Sequence, residues 1–544
     1  MQQQGQGPRQ AQEAPATSAD DARVIDSHAA HVRVAESAAL ALLGSARAAD
    51  VIDAGVSLNL LDKDDRSGDH TDVLFFHQLL QEYFAARALS LQPLTTTTWA
   101  EIVHSEWRAD KMSPSLSEVV AGLDMNAPLP PPPTTGWEET VKLASAMHAA
   151  PDAFVRGLMA ANLPLAGRCA AAPDSRVSET VKRELRQALI ARTQDMSADL
   201  RAHIDAGEAL GDLGDPRFER RRGPHGDYLL PPLIRVPGGT YTIGDDNGIY
   251  ADEKPAHPVE MSDFELGQFP VTNAEYACFL QAEGYDQERW WETDAAQAWR
   301  RGEGVAEGAR SGWRRTRKAL EGWSDEGLRN MVTQNRATPT QVDDWLMVKH
   351  WSEQEFEAWL VKTFPDTGAV REPGYWTDTR FNNPAQPVVG VSWHEARAYC
   401  AWLSAQTAWT FRLPTEAEWE AACRGQDRRR FAYGDDFDVA RGNTFESHIL
   451  RTTPVGVFPD GATPSGLVDM TGNTWDWTSS LFVDYPYANT AAHEDVNSTA
   501  TRVLRGGSWS YSHDGARASY RDFDGIDRSF NIGFRLVCVR PLIL

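Results

Sequence analysis

Residues 501–535 read TRVLRGGSWSYSHDGARASYRDFDGIDRSFNIGFR, and the fold is decided here. RVLRGGSW at one end and NIGFR at the other are apolar frames with glycine turns, which predicts strands that enter and leave a core. Between them Arg517, Arg521, Asp527 and Arg528 read as a scaffold, because guanidinium and carboxylate groups can fix irregular backbone through several hydrogen bonds each. The residues around that scaffold are Ser510, Tyr511, His513, Asp514, Ser519, Tyr520, Asp522, Phe523, Asp524, Gly525, Ile526, Ser529 and Phe530. Tyr, Ser, Gly and Asp dominate, as they do in adaptable binding loops. No Lys, Glu, Gln, Met or Trp occurs from Ser510 to Asn531. The expectation is an irregular loop on one exposed face. Tyr511, Tyr520, Phe523 and Phe530 would form an apolar patch rimmed by Asp514, Asp522 and Asp524, facing a protein or peptide ligand.

Further motifs extend this reading upstream. PVVGVSWHEARAYCAWLSAQ (387–406) reads as a strand, an N-cap at Ser392 and a helix, with Glu395 completing a capping box. RLPTEAEWE (412–420) repeats the logic with Thr415 and Glu418. Together with GNTWDW (472–477), RVLRGGSW and NIGFR, these phrases resemble the formylglycine-generating-enzyme family, a version of the C-type lectin fold, over residues 233–544. Residues 509–531 also resemble the variable region of proteins diversified by retroelements. The expected fold class is α+β: a C-type-lectin-like domain of the formylglycine-generating type, preceded by a helical region. The enzyme that names the family carries two cysteines after RGGS. Tyr511 and Ala516 stand at the matching positions, so the thiolate chemistry that needs a cysteine is not expected here.

The 544 residues suffice for two or three domains, and 42% hydrophobic content supplies their cores. A formal net charge of −24 argues against nucleic acid as the main partner, which needs a basic face. Cys169, Cys278, Cys400, Cys423 and Cys538 are odd in number and show no CxxC spacing. They read as buried thiols of a reducing compartment. No signal-peptide pattern or membrane-length apolar run is present, so a cytoplasmic location without membrane contact is expected.

In the amino-terminal part, residues 1–70 read as a partly disordered segment with short helices, low in complexity up to about Asp21. Residues 71–232 read as a helical array. VLFFHQLLQEYFAARAL (73–89) has Leu74, Phe75, Leu79, Leu80, Tyr83, Phe84 and Leu89 at helical spacing, and resembles a helix that follows the nucleotide-binding core of NACHT-type signalling ATPases. LRAHIDAGEALGDLGDPRF (200–218) resembles a HEAT-like unit. No GxxxxGK[ST] occurs, so no ATP site is expected and any NTPase module would lie upstream. APLPPPPTT (127–135) reads as an extended spacer and ERRRGPHGD (219–227) as a solvated hinge. IRVPGGTYTIG (234–244) reads as a hairpin turning at Gly238-Gly239, and 285–376 as a Trp-rich insertion whose indoles pack it onto the core.

The family resemblance implies calcium, held by carbonyls and an acidic side chain at Asp469, Gly472, Thr474 and Asp476. A second site would begin at Asn443 and Thr444, but FESHILR offers it no clear acidic partner. His394, His448 and His513 show no ligand spacing for iron or zinc. Two functions follow. The main expectation is a non-catalytic ligand-binding sensor on a lectin scaffold, coupled to a NACHT-type signalling protein and without enzymatic activity. The alternative is an oxidoreductase of the formylglycine-generating or sulfoxide-synthase type.

Overall fold

Turn and cap chemistry sets most element boundaries in the computed structural model. It describes residues 34–43, 47–58, 60–64, 72–75, 78–91, 99, 102–103, 114–124, 126–132, 134–333, 339–365, 368–487, 491–525 and 528–540. The low-complexity start, His77, Ile526 and Asp527 lie outside them. The chain divides into two units, one of residues 15–107 and 132–190, the other of 1–14, 108–131 and 191–544. Among the described residues no helix is long and apolar enough to cross a membrane.

The first unit holds short helices and a three-stranded sheet with Asp72–Phe75 at its centre. Leu74 and Phe75 are therefore strand residues, and the helix that was expected to include them starts at Gln78. Its apolar side is not fully covered: Ala86 and Leu89 are buried, whereas Leu79, Tyr83 and Phe84 are exposed. Trp99 packs edge-on against Phe154, with ring centroids 5.1 Å apart.

In the second unit we number elements in chain order. Helix α1 (Leu200–Leu213) is capped by Asp199, whose carboxylate accepts from the Arg201 N–H. Gly207 lies against Pro454 and Val457, and Gly211 against Asn383 and Ala385, so closely that an added Cβ would fall 2.7 and 2.4 Å from the nearest atoms. These two glycines seat the helix on the domain. The expected hinge is likewise a hairpin, β1 (Glu219–Gly223) and β2 (Gly226–Leu230), in which Gly226 takes a φ of +107°. Regular strand thus begins upstream of the boundary expected at 233.

Strands β3 (Leu233–Val236), β4 (Gly239–Ile243), β5 (His257–Met261) and β6 (Phe264–Gly267) follow. β4 pairs with β5, whereas β3 pairs with β6, so Gly238-Gly239 joins strands of different sheets instead of closing a hairpin. Helices α2 (Asn273–Gln281), α3 (Trp393–Gln406) and α4 (Glu416–Arg424) each start with a complete capping box. The expected pairs Ser392/Glu395 and Thr415/Glu418 are both formed. The remaining strands are β7 (Thr410–Arg412), β8 (Trp475–Leu481), β9 (Arg502–Arg505), β10 (Asp522–Asp524), β11 (Ile532–Gly533) and β12 (Val537–Val539).

Two four-stranded sheets result, ordered β7-β12-β6-β3 and β10-β9-β8-β11. The frames RVLR and NIGFR do not pair with each other. β9 lies antiparallel to one side of β8, and β11 parallel to the other. An aromatic-rich core containing Tyr276, Phe279, Tyr399, Trp402, Trp475 and Phe534 lies in this unit. In the insertion, Trp290, Trp291 and Trp299 join that core, while Trp313, Trp351 and Trp359 pack in a small helical cluster of their own.

Candidate functional site

After β9 the chain turns through Gly506 (φ +99°) and Gly507 (φ +75°). A Cβ on Gly507 would come 2.7 Å from Ala516 Cα, so only glycine lets the returning loop pass this closely. From there to β10 the backbone is a succession of turns, as expected. Short of ladder bonds, it is held by charge.

Three of the four predicted scaffold residues are described, and all three anchor the loop. Arg517 forks onto Glu253, both contacts 2.7 Å, and the Ser519 hydroxyl donates to the same carboxylate at 2.7 Å. Burial works against an ionised Glu253, but Arg517 and Ser519 outweigh it and leave its carboxyl below the usual range. Arg521 forks onto Glu416 (2.8 and 2.9 Å) and donates to the carbonyls of Asp252 and Val483. Arg528 donates to the Gly390 and Glu372 carbonyls and pairs with Glu395 at 3.2 Å. From β9, Arg505 reaches Glu420 at 2.7 Å and the Tyr485 hydroxyl at 2.9 Å. Glu416 and Glu420 stand one turn apart on α4, both fully buried. The RLPTEAEWE motif is therefore the acidic half of the anchor.

The aromatic patch does not form. Tyr520 is buried between Tyr250 and Trp475, with centroids 5.2 and 5.9 Å away. Tyr511, half-buried, meets Trp475 edge-on at 5.1 Å. Phe523 packs on Phe482 at 4.4 Å under the Arg315 guanidinium, and Phe530 on Trp509 at 5.3 Å and Tyr375. Tyr511 and Tyr520 share Trp475, while Phe523 and Phe530 pack on neighbours of their own, so the four rings do not form one exposed face. Ser510, Ser519 and Asp522 are buried as well. Ser510 accepts from Asn531 Nδ2 at 2.9 Å, and Asp522 accepts from the Phe523 N–H. His513, Asp514, Asp524, Gly525 and Ser529 keep partial exposure.

One pairing had no sequence signal. His513 Nδ1 lies 2.7 Å from Glu446, which also accepts the His513 backbone N–H, and its ring stacks on Phe437 at 4.5 Å. Asp514 is 3.9 Å from the other ring nitrogen, and Arg430 is 3.8 Å from Asp514. The segments meet because the Phe445 N–H donates to the Tyr511 carbonyl. Residues 67 positions apart leave no spacing pattern to read.

The residues proposed for calcium do not fit it. Asp476 Oδ2 accepts from Arg535 Nε at 2.6 Å and from the Trp419 indole at 2.9 Å. Arg535 also donates to the Asp469 carbonyl at 3.0 Å, the Asp469 side chain accepts from the Gly456 N–H, and the Gly472 carbonyl accepts from the Thr474 N–H. Asp476 Oδ1 and Thr474 Oγ1 are buried without a hydrogen-bond partner. Those atoms fall short of the six to eight oxygens calcium takes. A guanidinium supplies the positive charge instead. At the second position the Ser447 hydroxyl lies 2.7 Å from the Thr444 carbonyl and 3.0 Å from Asn443 Oδ1, and its one proton goes to one of them. Among the described residues no three His, Cys, Asp or Glu are grouped to hold a metal. His448 Nδ1 contacts the Ala127 carbonyl, and burial pushes His394 down to about 4.

The cysteines offer no substitute nucleophile. All five are free and buried. Burial pushes Cys169 and Cys423 up to about 12 and Cys538 up to about 11, far from thiolate reactivity at neutral pH.

Residues 223–540 match the family model described as a sulfatase-modifying factor enzyme 1-like domain. The chain belongs to that family. Among curated relatives, the hercynine oxygenase of Mycolicibacterium thermoresistibile is 31% identical over 347 residues, 61% of this chain and 64% of that protein. The chain thus spans less than two thirds of that relative's length. The formylglycine-generating enzyme of Mycobacterium tuberculosis is 30% identical over 57% of this chain and 98% of its own. A bovine relative, 31% identical over 56% of this chain and 86% of its own, is named inactive C-alpha-formylglycine-generating enzyme 2. The enzyme names overturn the expectation of a non-catalytic sensor and favour the oxidoreductase alternative.

Proposed function

We propose that this chain is an oxidoreductase of the hercynine-oxygenase kind and not a generator of formylglycine. The observation that carries this reading is the kinship with hercynine oxygenases combined with Tyr511 and Ala516 where the formylglycine-generating chemistry needs cysteines. The reacting face would be the partly exposed rim beside Tyr511. There His513, oriented by Glu446 and stacked on Phe437, would move a proton to or from the substrate. The arginine–glutamate anchors would hold that rim, and residues 510–530 would set which substrate it accepts. Two finer readings belong to the same proposal: that the loop is diversified by a retroelement, and that the helical region is the tail of a NACHT-type protein.

The test supplies the purified protein with hercynine, a small thiol and dioxygen, with and without ferrous iron. Oxygen uptake and mass spectrometry of sulfur-containing products are followed. Turnover should fall by about a hundredfold in His513→Ala, the low end for general acid–base catalysis. A product level no higher than that of a boiled control would overturn the reading.

A further inference from the structure

Residues 127–132 read APLPPP and lie outside the part of the chain matched by the family. Proline fixes its own φ at about −65°, and a residue that precedes proline is driven out of the helical region. Every residue from Ala127 to Pro132 meets one of these conditions or both, so the segment is a polyproline II helix. We propose that this helix is displayed as a docking element for a partner protein whose groove is lined by aromatic rings and rimmed by basic residues. The proposal does not depend on the oxidoreductase reading.

Backbone contacts fix the segment to the domain. The Leu129 N–H donates to the His448 carbonyl at 2.7 Å, and His448 Nδ1 lies 2.8 Å from the Ala127 carbonyl. Arg201 donates to the Pro130 carbonyl at 3.4 Å. His448, Arg201 and residues 127–131 all belong to the same unit. Polyproline II has three residues per turn, so residues three apart share an edge. Ala127 and Leu129 are half-buried, whereas Pro128 and Pro131, on one edge, are both exposed, as is Pro130. A spacer needs only length. This segment is also held in one rotation about its own axis, which turns the same edge outward.

The chemistry of that edge selects the partner. It presents two proline rings about 9 Å apart, one turn of the helix. The carbonyls of Pro128 and Pro131 take no donor from the described residues. Proline rings pack flat on Trp and Tyr faces, and the carbonyls beside them accept from indole N–H or phenol O–H groups. Grooves lined by such rings read prolines at this spacing. A sheet edge is a poor alternative, because proline has no N–H to give a ladder. Charge narrows the choice further. Exposed Asp124 stands four residues before Pro128 and the chain carries a net −24, so a basic rim is attracted and an acidic surface or nucleic acid is repelled. Because the segment is already ordered, binding fixes little further chain, which lowers its entropic cost.

Biolayer interferometry of the full chain against purified SH3 and WW domains tests the proposal, since both carry aromatic grooves of this kind. The expected result is saturable binding by at least one domain at up to about 1 mM, a range that catches weak contacts. Affinity should fall about tenfold or more in Pro128→Ala and in Pro131→Ala, exposed positions whose folding melting curves verify. Asp124→Asn should cost about two- to fivefold, the size of an exposed ion pair. A synthetic peptide of residues 124–134, made with and without the same substitutions, separates display from sequence. It should compete with the folded chain and bind no more tightly. The proposal is overturned if no domain binds, or if the proline variants bind as well as the parent. It is also overturned if the peptide binds about tenfold tighter than the chain, because the fold would then hide the segment.

Discussion

The two kinds of residue interleaved between Gly507 and Asn531 behave oppositely. Arg517, Arg521 and Arg528 each reach a buried glutamate on a distant element, whereas Tyr511, Phe523 and Phe530 stay half-buried on separate aromatic neighbours. Among its described residues the loop has a single three-residue strand, β10, so ladder hydrogen bonds cannot hold most of them. Charge pairing can, because a guanidinium fork fixes both position and orientation. The lesson is that the anchors and the half-buried rings are held mainly by different contacts, meeting at Phe482, which lies under Arg521 and against Phe523. One can be altered with little effect on the other.

The largest effect should come from cutting an anchor. Arg521→Ala removes the guanidinium fork from the buried Glu416 and leaves it Arg505 at 3.4 Å and the Tyr485 hydroxyl at 3.3 Å, which costs about 3 kcal/mol of unfolding free energy, the low end for breaking a buried pair. Urea denaturation followed by tryptophan fluorescence measures it. Next is the seat of α1. Gly211→Ala should cost about 1–3 kcal/mol, since the methyl group would meet Asn383 and the Ala385 backbone. An exposed-helix glycine would instead gain stability on the same change.

A third test uses pH on a charge that has no arginine. Burial pushes Glu275 up to about 8, so the folded protein holds this proton more tightly than the unfolded chain does. Its contribution is fully present below the ordinary glutamate range and is lost as pH rises through about 8. Melting temperature should therefore fall across that window, and Glu275→Gln should flatten the fall. A slope identical in the two proteins would count against a neutral Glu275.

Smallest are the changes at the half-buried rings. Phe523→Ser, Phe530→Ser and Tyr511→Ser should each cost no more than about 1–2 kcal/mol, below the anchor change. Tyr520→Ser, at a buried position, should exceed them. Chelation by EDTA should leave the melting temperature within about 1 °C, since the cation at Asp476 is Arg535.

Legibility followed range in sequence. Capping boxes at Ser392 and Thr415 were readable because donor and acceptor are three residues apart. The arginines could be read as anchors from their type, but their acceptors could not be named, since Glu253 and Glu416 lie more than a hundred residues upstream. Separation in sequence, 67 residues for the His513–Glu446 pair, also hid that pair and the partners of Gly207 and Gly211. Small residues spaced for close helix packing look alike whether the neighbour is the next repeat or a domain of mixed helix and sheet. Burial of Ser510, Ser519, Tyr520 and Asp522 was unreadable for a related reason. Polar side chains can be interior when a charged anchor or an amide network accepts them. The Arg220–Arg222 run, for its part, looked like solvated linker because hairpin pairing with Tyr228 and Leu229 is invisible in composition.

The claim that charge anchors hold the loop is tested most directly by a double-mutant cycle on Arg521 and Glu416, made with Arg521→Met and Glu416→Gln and read by equilibrium unfolding. The prediction is a coupling energy of about 2–3 kcal/mol, the upper range for residues in one buried network, with either single variant worse than the two combined would suggest. A coupling below about 0.5 kcal/mol would contradict it, and the loop would then have to be held by its aromatic contacts.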